Sequence, residues 1–274
     1  MALPASAPIT LSAIQTEYSV GSLTAASTPA GLDPLPTAML DFLGKSSATL
    51  YEFQTAGTFG PYTISKSSMQ GIIIGAGGRG GGYRVQTFNG EFCYGGGGGS
   101  GGIVAGTITG SAGGSYTVVV GAASATGAIS ENLVQSGSSS VSGSWGATYT
   151  AAGGWNGGRG NLNISSVGGN GGKNGPGTFF GGAGGSFGGG GAGYGSDGAS
   201  GIDMLGEGGA GLITYTVGSK TYTYLAEGGF GGGQAHPGVN GTSYYGHGGV
   251  SVYGSGGSAT IGGAGNVGMV AFYF

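Results

Sequence analysis

The sequence predicts a mostly β and irregular protein, with a short helical segment at the N-terminus and then β-strands leading into a bundle of polyglycine-II helices. Three observations carry this expectation. Glycine makes up 74 of 274 residues, about four times its average usage of roughly 7%. The glycine tracts are separated by short Val/Ile- and Tyr-rich runs, not by long stretches of 3.6-residue periodicity. Charged residues are only 6% of the chain, while 15 Tyr and 11 Phe are present, unlike the charged, apolar-poor composition that keeps a chain disordered.

The glycine-rich centre sets the architecture. Residues 181–200, GGAGGSFGGGGAGYGSDGAS, are more than half glycine. Such a tract has no aliphatic side chains to interlock, so it orders only by packing backbone against backbone. The conformer suited to this is the extended left-handed helix with three residues per turn and no internal hydrogen bonds. Its N–H and C=O groups then need partners on neighbouring segments. Collagen is excluded, because glycine does not recur strictly every third residue and only 8 prolines are present.

Taken in order, residues 1–46 differ from the rest. Leu11, Ile14 and Tyr18 fall on one helical face. Ser12 and Gln15 have capping-box spacing, and Gly21 ends the pattern. Residues 22–36 hold three prolines and read as a linker. A second apolar turn follows at Met39, Leu40, Phe42 and Leu43. The expected division is therefore a segment over 1–46 and a glycine-rich domain over 47–274.

From residue 48 the period switches to two. Leu50 and Phe53 before Gly57, with Phe59 and Tyr62 after it, read as a hairpin. GIIIGAGG is an apolar run entering glycine, the mark of a buried strand. Further strands are expected at 103–109, 115–121, 212–217, 220–226 and 268–274. LITYTV and KTYTYL, joined by Gly218 and Ser219, form the strongest hairpin signal, with glycine where a type II′ turn requires it. Tyr215, Tyr222 and Tyr224 can pair across it.

Three insertions interrupt the glycine tracts, at 83–94, 176–180 and 234–247. Binding residues concentrate on loops held by a rigid scaffold, and aromatic side chains give large contact area at small entropic cost. The candidate binding residues are therefore Tyr83, Arg84, Phe88, Phe92, Tyr94, Phe179, Phe180, His236, Tyr244, Tyr245 and His247. The competing reading is that these rings cover the ends of the bundle. Phe53, Phe59, Tyr116 and Phe272, all in strands, are assigned to the core, and Trp145 and Trp155 to packing.

Several function classes find no support. Net charge is −3 with seven scattered basic residues, which offers no basic face for phosphates, so nucleic acid is not expected. No stretch approaches 18 apolar residues and no basic region opens the chain, so neither membrane insertion nor a signal peptide is expected. His236 and His247 are the only histidines and have few carboxylates near them in sequence, so no metal or cofactor is expected. Gly44-Lys45-Ser46 lacks both the preceding strand and the glycine spacing of a phosphate loop, Met39 standing where a glycine is needed. Glu91, Glu131, Asp197, Asp203, Glu207 and Glu227 are dispersed and give no recognisable catalytic pair, so the chain is not read as an enzyme. Cys93, the single cysteine, is read as a packed small side chain.

Two stretches carry a family resemblance. LPASAPITLSAIQTEY followed by LDFLGKS resembles the N-terminal segment of many tailed-phage virion proteins, in which an I-S-L-S-x-I helix precedes D-F-Y-G-K-S. Ala13 and Leu43 depart from that pattern. TAGTF, GIIIGAGGRGGG, SYTVVVGA and GNVGMVAFYF, in that order, resemble the glycine-rich domain of phage tail proteins and adhesins. The resemblance implies a tail-tip or tail-fibre protein of the virion, assembled in the host cytoplasm. It implies attachment to a phage tail or fibre protein through Leu11, Ile14, Tyr18, Phe42 and Leu43, and recognition of a bacterial outer-membrane protein or surface glycan. The alternative is a purely structural tail-tip or baseplate component. An ice-binding role would call for Thr or Ala rows at three-residue spacing, which the tracts lack. Homo-oligomerisation stays open.

Overall fold

Ten strands are found among the described residues, and no helix. They are β1 (Leu50–Phe53), β2 (Gly57–Thr63), β3 (Ser68–Ile74), β4 (Ile103–Thr109), β5 (Ser115–Val120), β6 (Ser139–Gly143), β7 (Thr148–Ala151), β8 (Leu212–Val217), β9 (Lys220–Leu225) and β10 (Met269–Tyr273). The computed structural model describes residues 49–63, 66–82, 95–124, 134–144, 146–158, 175, 180, 189, 191–200, 208–229, 245–246, 248 and 263–274. The helical segment expected over 1–46, with Leu11, Ile14, Tyr18, Phe42 and Leu43, lies outside them.

The chain divides into two units, Met1–Leu50 with Tyr273–Phe274, and Tyr51–Phe272. In the first, Thr49 and Phe274 exchange backbone hydrogen bonds of 2.8 and 3.3 Å.

The strands make two four-stranded sheets, ordered β1-β10-β3-β4 and β2-β5-β6-β7, and the two-stranded β8-β9 hairpin. The central strands β3 and β10 carry continuous apolar runs because both of their faces are covered. Ile72, Ile73 and Ile74, and Met269 through Phe272, are fully buried. β5 instead alternates, with Tyr116, Val118 and Val120 buried and Thr117 and Val119 half-buried between them, the pattern of a strand packed on one face. β3 packs against β6, β7 and β8. The ring of Phe272 meets that of Tyr116 edge-on at 5.3 Å and that of Phe53 at 5.7 Å, so three of the aromatics assigned to the core from sequence gather there. Phe59 joins them, 5.1 Å from Phe53.

The expected hairpin over 50–62 does not form. β1 belongs to the sheet of β10, whereas β2 pairs antiparallel with β5, Gly57 opposite Val120 and Phe59 opposite Val118. The turn residues carry the chain from one sheet to the other, which lets Phe53 and Phe59 meet in one aromatic cluster instead of lying side by side on a ladder. The β8-β9 hairpin does form, with Tyr215 opposite Tyr222. Gly218 has φ +60° and Ser219 is not left-handed, as a type II′ turn requires.

β3, β4, β7, β8, β9 and β10 each enter or leave a glycine-rich segment. Where β3 and β4 end their ladder at Ile74 opposite Ile103, their extensions stay paired with a different rhythm. Gly75, Gly78 and Gly81 donate to the carbonyls of Gly102, Gly99 and Gly96. Gly77 and Gly80 donate to Asn266 and Gly263, while Ala76 and Arg79 accept from Gly154 and Gly157. One segment thus addresses three of its neighbours at every third residue, and Ala76 N donates to a fourth, at Gly137 O, at 3.0 Å. A β-ladder addresses its neighbours with period two.

Glycine is required here by close approach. A Cβ on Gly78 would fall inside the carbonyl oxygen of Trp155, and one on Gly98 inside that of Gly78. Where no glycine segment supplies a partner, a buried side chain does. Ser139 Oγ donates to Ile74 O at 2.6 Å and accepts from Gly121 N at 3.0 Å. Ser136 Oγ donates to Gly77 O at 2.8 Å, and Asn156 Oδ1 accepts from Arg79 N at 3.0 Å. The exposed Gln135 also reaches in, its Nε2 donating to Gly153 O at 2.8 Å.

Candidate functional site

Of the binding residues expected from sequence, Phe180 and Tyr245 are described. Tyr83, Arg84, Phe88, Phe92, Tyr94, Phe179, His236, Tyr244 and His247 lie outside the described residues. The two are held differently. Phe180 is 53% exposed, with its N–H donating to Asp197 Oδ1 at 2.7 Å and its carbonyl accepting from Gly198 N at 3.1 Å. Asp197 therefore fixes the backbone beneath an exposed ring.

Tyr245 is clamped by the glycine segments. Its carbonyl accepts from Ala226 N at 3.1 Å, while the neighbouring Gly246 donates to Val267 O at 3.0 Å and accepts from Gly101 N at 2.8 Å. Gly246 has φ +71°, and a Cβ there would press on Ile74 Cγ2 at 2.6 Å and Gly75 O at 2.8 Å. Only glycine fits this turn, so the backbone fixes where the Tyr245 side chain starts.

Beside Tyr245 lies a cleft of about 340 Å³, lined by Gln54, Lys220, Thr221, Tyr222, Thr223, Leu225 and Tyr245. Its volume is at the lower end of the roughly 300–1,000 Å³ typical of small-ligand sites. Its described lining combines five polar residues, Gln54, Lys220, Thr221, Thr223 and Tyr245, with the buried Tyr222 and Leu225. Gln70 of β3 docks the hairpin that forms one wall, its side-chain amide donating to Thr216 O at 3.2 Å and accepting from Gly218 N at 3.1 Å.

Glu52 of β1 organises the cleft from behind. Its Oε1 accepts from Lys220 Nζ at 2.6 Å, Tyr222 Oη at 2.7 Å and Gln54 Nε2 at 3.1 Å. Lys220 Nζ also stands 5.3 Å from the centre of the Tyr222 ring. Partial burial opposes the charge on Glu52, but the bonds from Lys220 and Tyr222 outweigh it and hold the carboxyl below its ordinary value. Burial, then the bond to Glu52, pushes the Tyr222 phenol well up. Burial, then the Glu52 charge, pushes Tyr245 up as well. Both phenols thus stay protonated and serve as hydroxyl groups near neutral pH.

Sequence reasoning found Tyr245 but not Glu52, Gln54, Lys220 or the two threonines. Lys220 and Glu52 are 168 residues apart, and no local pattern joins them. The only available signal was the alternation of KTYTYL, which puts Lys220 and Tyr222 on the same face of one strand. Trp155, assigned to packing, is half-buried and bridges to Gln135. Trp145 and Cys93 lie outside the described residues.

The glycine-rich domain family matches residues 54–274, most of the chain, and the chain belongs to that family. No curated protein matches it.

Proposed function

We propose that this glycine-rich domain protein is a tailed-phage receptor-binding protein, an adhesin carried at the tail tip or fibre. Residues 1–46 join it to a tail or fibre protein, and loops on the glycine-rich domain contact an outer-membrane protein or surface glycan of the host. Its work is adhesion without bond chemistry. The phage assignment rests on the sequence resemblance of the N-terminal segment and of the ordered motifs from TAGTF to GNVGMVAFYF.

The scaffold in this reading is a polyglycine-II bundle. The observation that carries it is the three-residue period of the bonds from Gly75, Gly78 and Gly81 and from Gly77 and Gly80, the repeat of a helix with three residues per turn and no internal bonds. Such a frame holds its loops through backbone contacts alone, as Gly246 holds Tyr245, so loop side chains are free to vary with the receptor.

The test is binding of the fluorescent full-length chain to a panel of bacteria that includes strains plaqued by virions carrying it, beside Tyr245→Ala and Phe180→Ala. Saturable binding to the plaqued strains, weakened by either substitution, is the expected result. Absence of binding to those strains would replace the adhesin with the purely structural virion component.

A further inference from the structure

We propose that the cleft beside Tyr245 takes a neutral sugar unit of a surface glycan. This inference rests on the adhesin reading and names its ligand class. Three features of the lining select the chemistry. The lining is mainly polar: Gln54, Lys220, Thr221, Thr223 and Tyr245 stand beside the buried Tyr222 and Leu225, and Leu225 is the one aliphatic residue among the described lining residues. A partner led by aliphatic side chains would leave the surrounding polar groups unpaired, at a cost in affinity.

The rim supplies short, fixed hydrogen-bonding groups. Thr221 and Thr223 are exposed on β9 and line the cleft together with Gln54 and Tyr245, the Thr221 hydroxyl sharing a hydrogen bond of 3.0 Å with that of Thr216. Hydroxyl and amide groups both donate and accept, which suits a ligand whose every hydroxyl does the same. Sugar hydroxyls match this set, and preorganised groups bind them without paying the ordering entropy of flexible chains.

Charge separates neutral from acidic sugars. Among the described lining residues Lys220 is the one cation, and Glu52 pairs with it at 2.6 Å. A uronic or sialic acid carboxylate would meet Lys220 with the negative charge of Glu52 already beside it, which weakens its attraction. Glu52 is a positioning residue here: it anchors Lys220, Tyr222 and Gln54 and does not itself line the cleft.

The experiment uses the full-length protein on cells of a strain that it binds saturably. One sample is treated with periodate, which cleaves sugar vicinal diols, and another with proteinase K. Polysaccharide released from that strain serves as competitor. The expected result is a loss of binding of tenfold or more after periodate, retention after proteinase K, competition by the released polysaccharide, and little change with added salt. Tyr245→Ala and Thr223→Val should each weaken binding severalfold with an unchanged melting temperature. Because Thr223 is exposed on a strand that a valine suits, the second variant keeps the test independent of folding defects. Binding that survives periodate and is lost to protease would overturn the sugar while leaving the adhesin intact. Periodate-sensitive binding untouched by either variant would overturn the cleft. Binding abolished by moderate salt would overturn the neutral class. Absence of saturable binding to any plaqued strain would remove the adhesin reading and this inference together.

Discussion

The sheets and the glycine segments bury their chain equally well and by opposite means. In β3 and β10 the buried matter is side chain: Ile72, Ile73, Ile74, Met269 and Phe272 are fully enclosed, and stability comes from apolar area removed from water and from close packing. In residues 75–81 and 96–102 the buried matter is backbone, satisfied by bonds to several neighbouring segments. Glycine there gives up more conformational entropy on ordering than any other residue, and the offset comes from saturating buried N–H and C=O groups. The sheets therefore fail when atoms are removed, and the glycine segments fail when atoms are added.

That contrast can be broken experimentally. The largest effect is expected from Gly78→Val, which drives two branches into the Trp155 carbonyl. Backbone has to move, so the loss should reach about 4 kcal/mol or more, read as loss of cooperative thermal unfolding. A stable, well-folded Gly78→Val protein would show that the segments are loosely apposed. Phe272→Ala tests the other half, with a cavity beside Tyr116 and Phe53 expected to cost about 3–4 kcal/mol in denaturant unfolding.

Ser139→Ala sharpens the boundary between the regions. It removes one hydroxyl and leaves both Ile74 O and Gly121 N without that partner, which should cost about 1–3 kcal/mol. Ser139→Cys, with a weaker hydrogen-bonding group of similar shape, should fall between Ala and the native protein. If both variants equal wild type, the serine is only filling space.

The smallest effect belongs to the ion pair at the cleft. Glu52 is held below its ordinary value of 4.5, so its contribution is present above that pH and is lost as pH falls through the lowered folded value. Because the pair is partly exposed, the contribution is at most about 1 kcal/mol. Melting temperature followed from about pH 6 to about pH 3 should fall slightly more steeply for wild type than for Glu52→Gln. Parallel curves would mean that Lys220 and Tyr222 are positioned without Glu52.

Much of the strand set was legible because apolar periodicity is a local property. GIIIGAGG, IVAGTIT, SYTVVVG and GMVAFYF announced β3, β4, β5 and β10. β6 and β7, SSVSG and TYTA, were missed because they are mostly Ser and Thr and gain strand structure from their neighbours, not from their own apolar pattern. The hairpin assigned to 50–62 failed for a related reason. Alternation shows that two runs are strands, but it does not say whether the turn between them folds back or crosses to another sheet. At the cleft, Tyr245 stood out as an aromatic residue in an insertion, while the Glu52–Lys220 pair depended on long-range contact.

By itself the sequence determined the two materials of this protein: Val/Ile/Tyr runs that must become strands, and tracts so rich in glycine that only backbone packing can order them. Tertiary structure decided which segment lies beside which. Glycine segments carry no side-chain code, so one fits against another as well as the next. The choice falls to what their ends and interruptions impose: β3 and β4 aligning 75–81 with 96–102, Ser136, Ser139 and Asn156 filling gaps in the backbone bonding, and Gly246 admitting a turn where any Cβ would collide. Those constraints act between residues far apart in sequence, and so does the Glu52 carboxylate that completes the cleft.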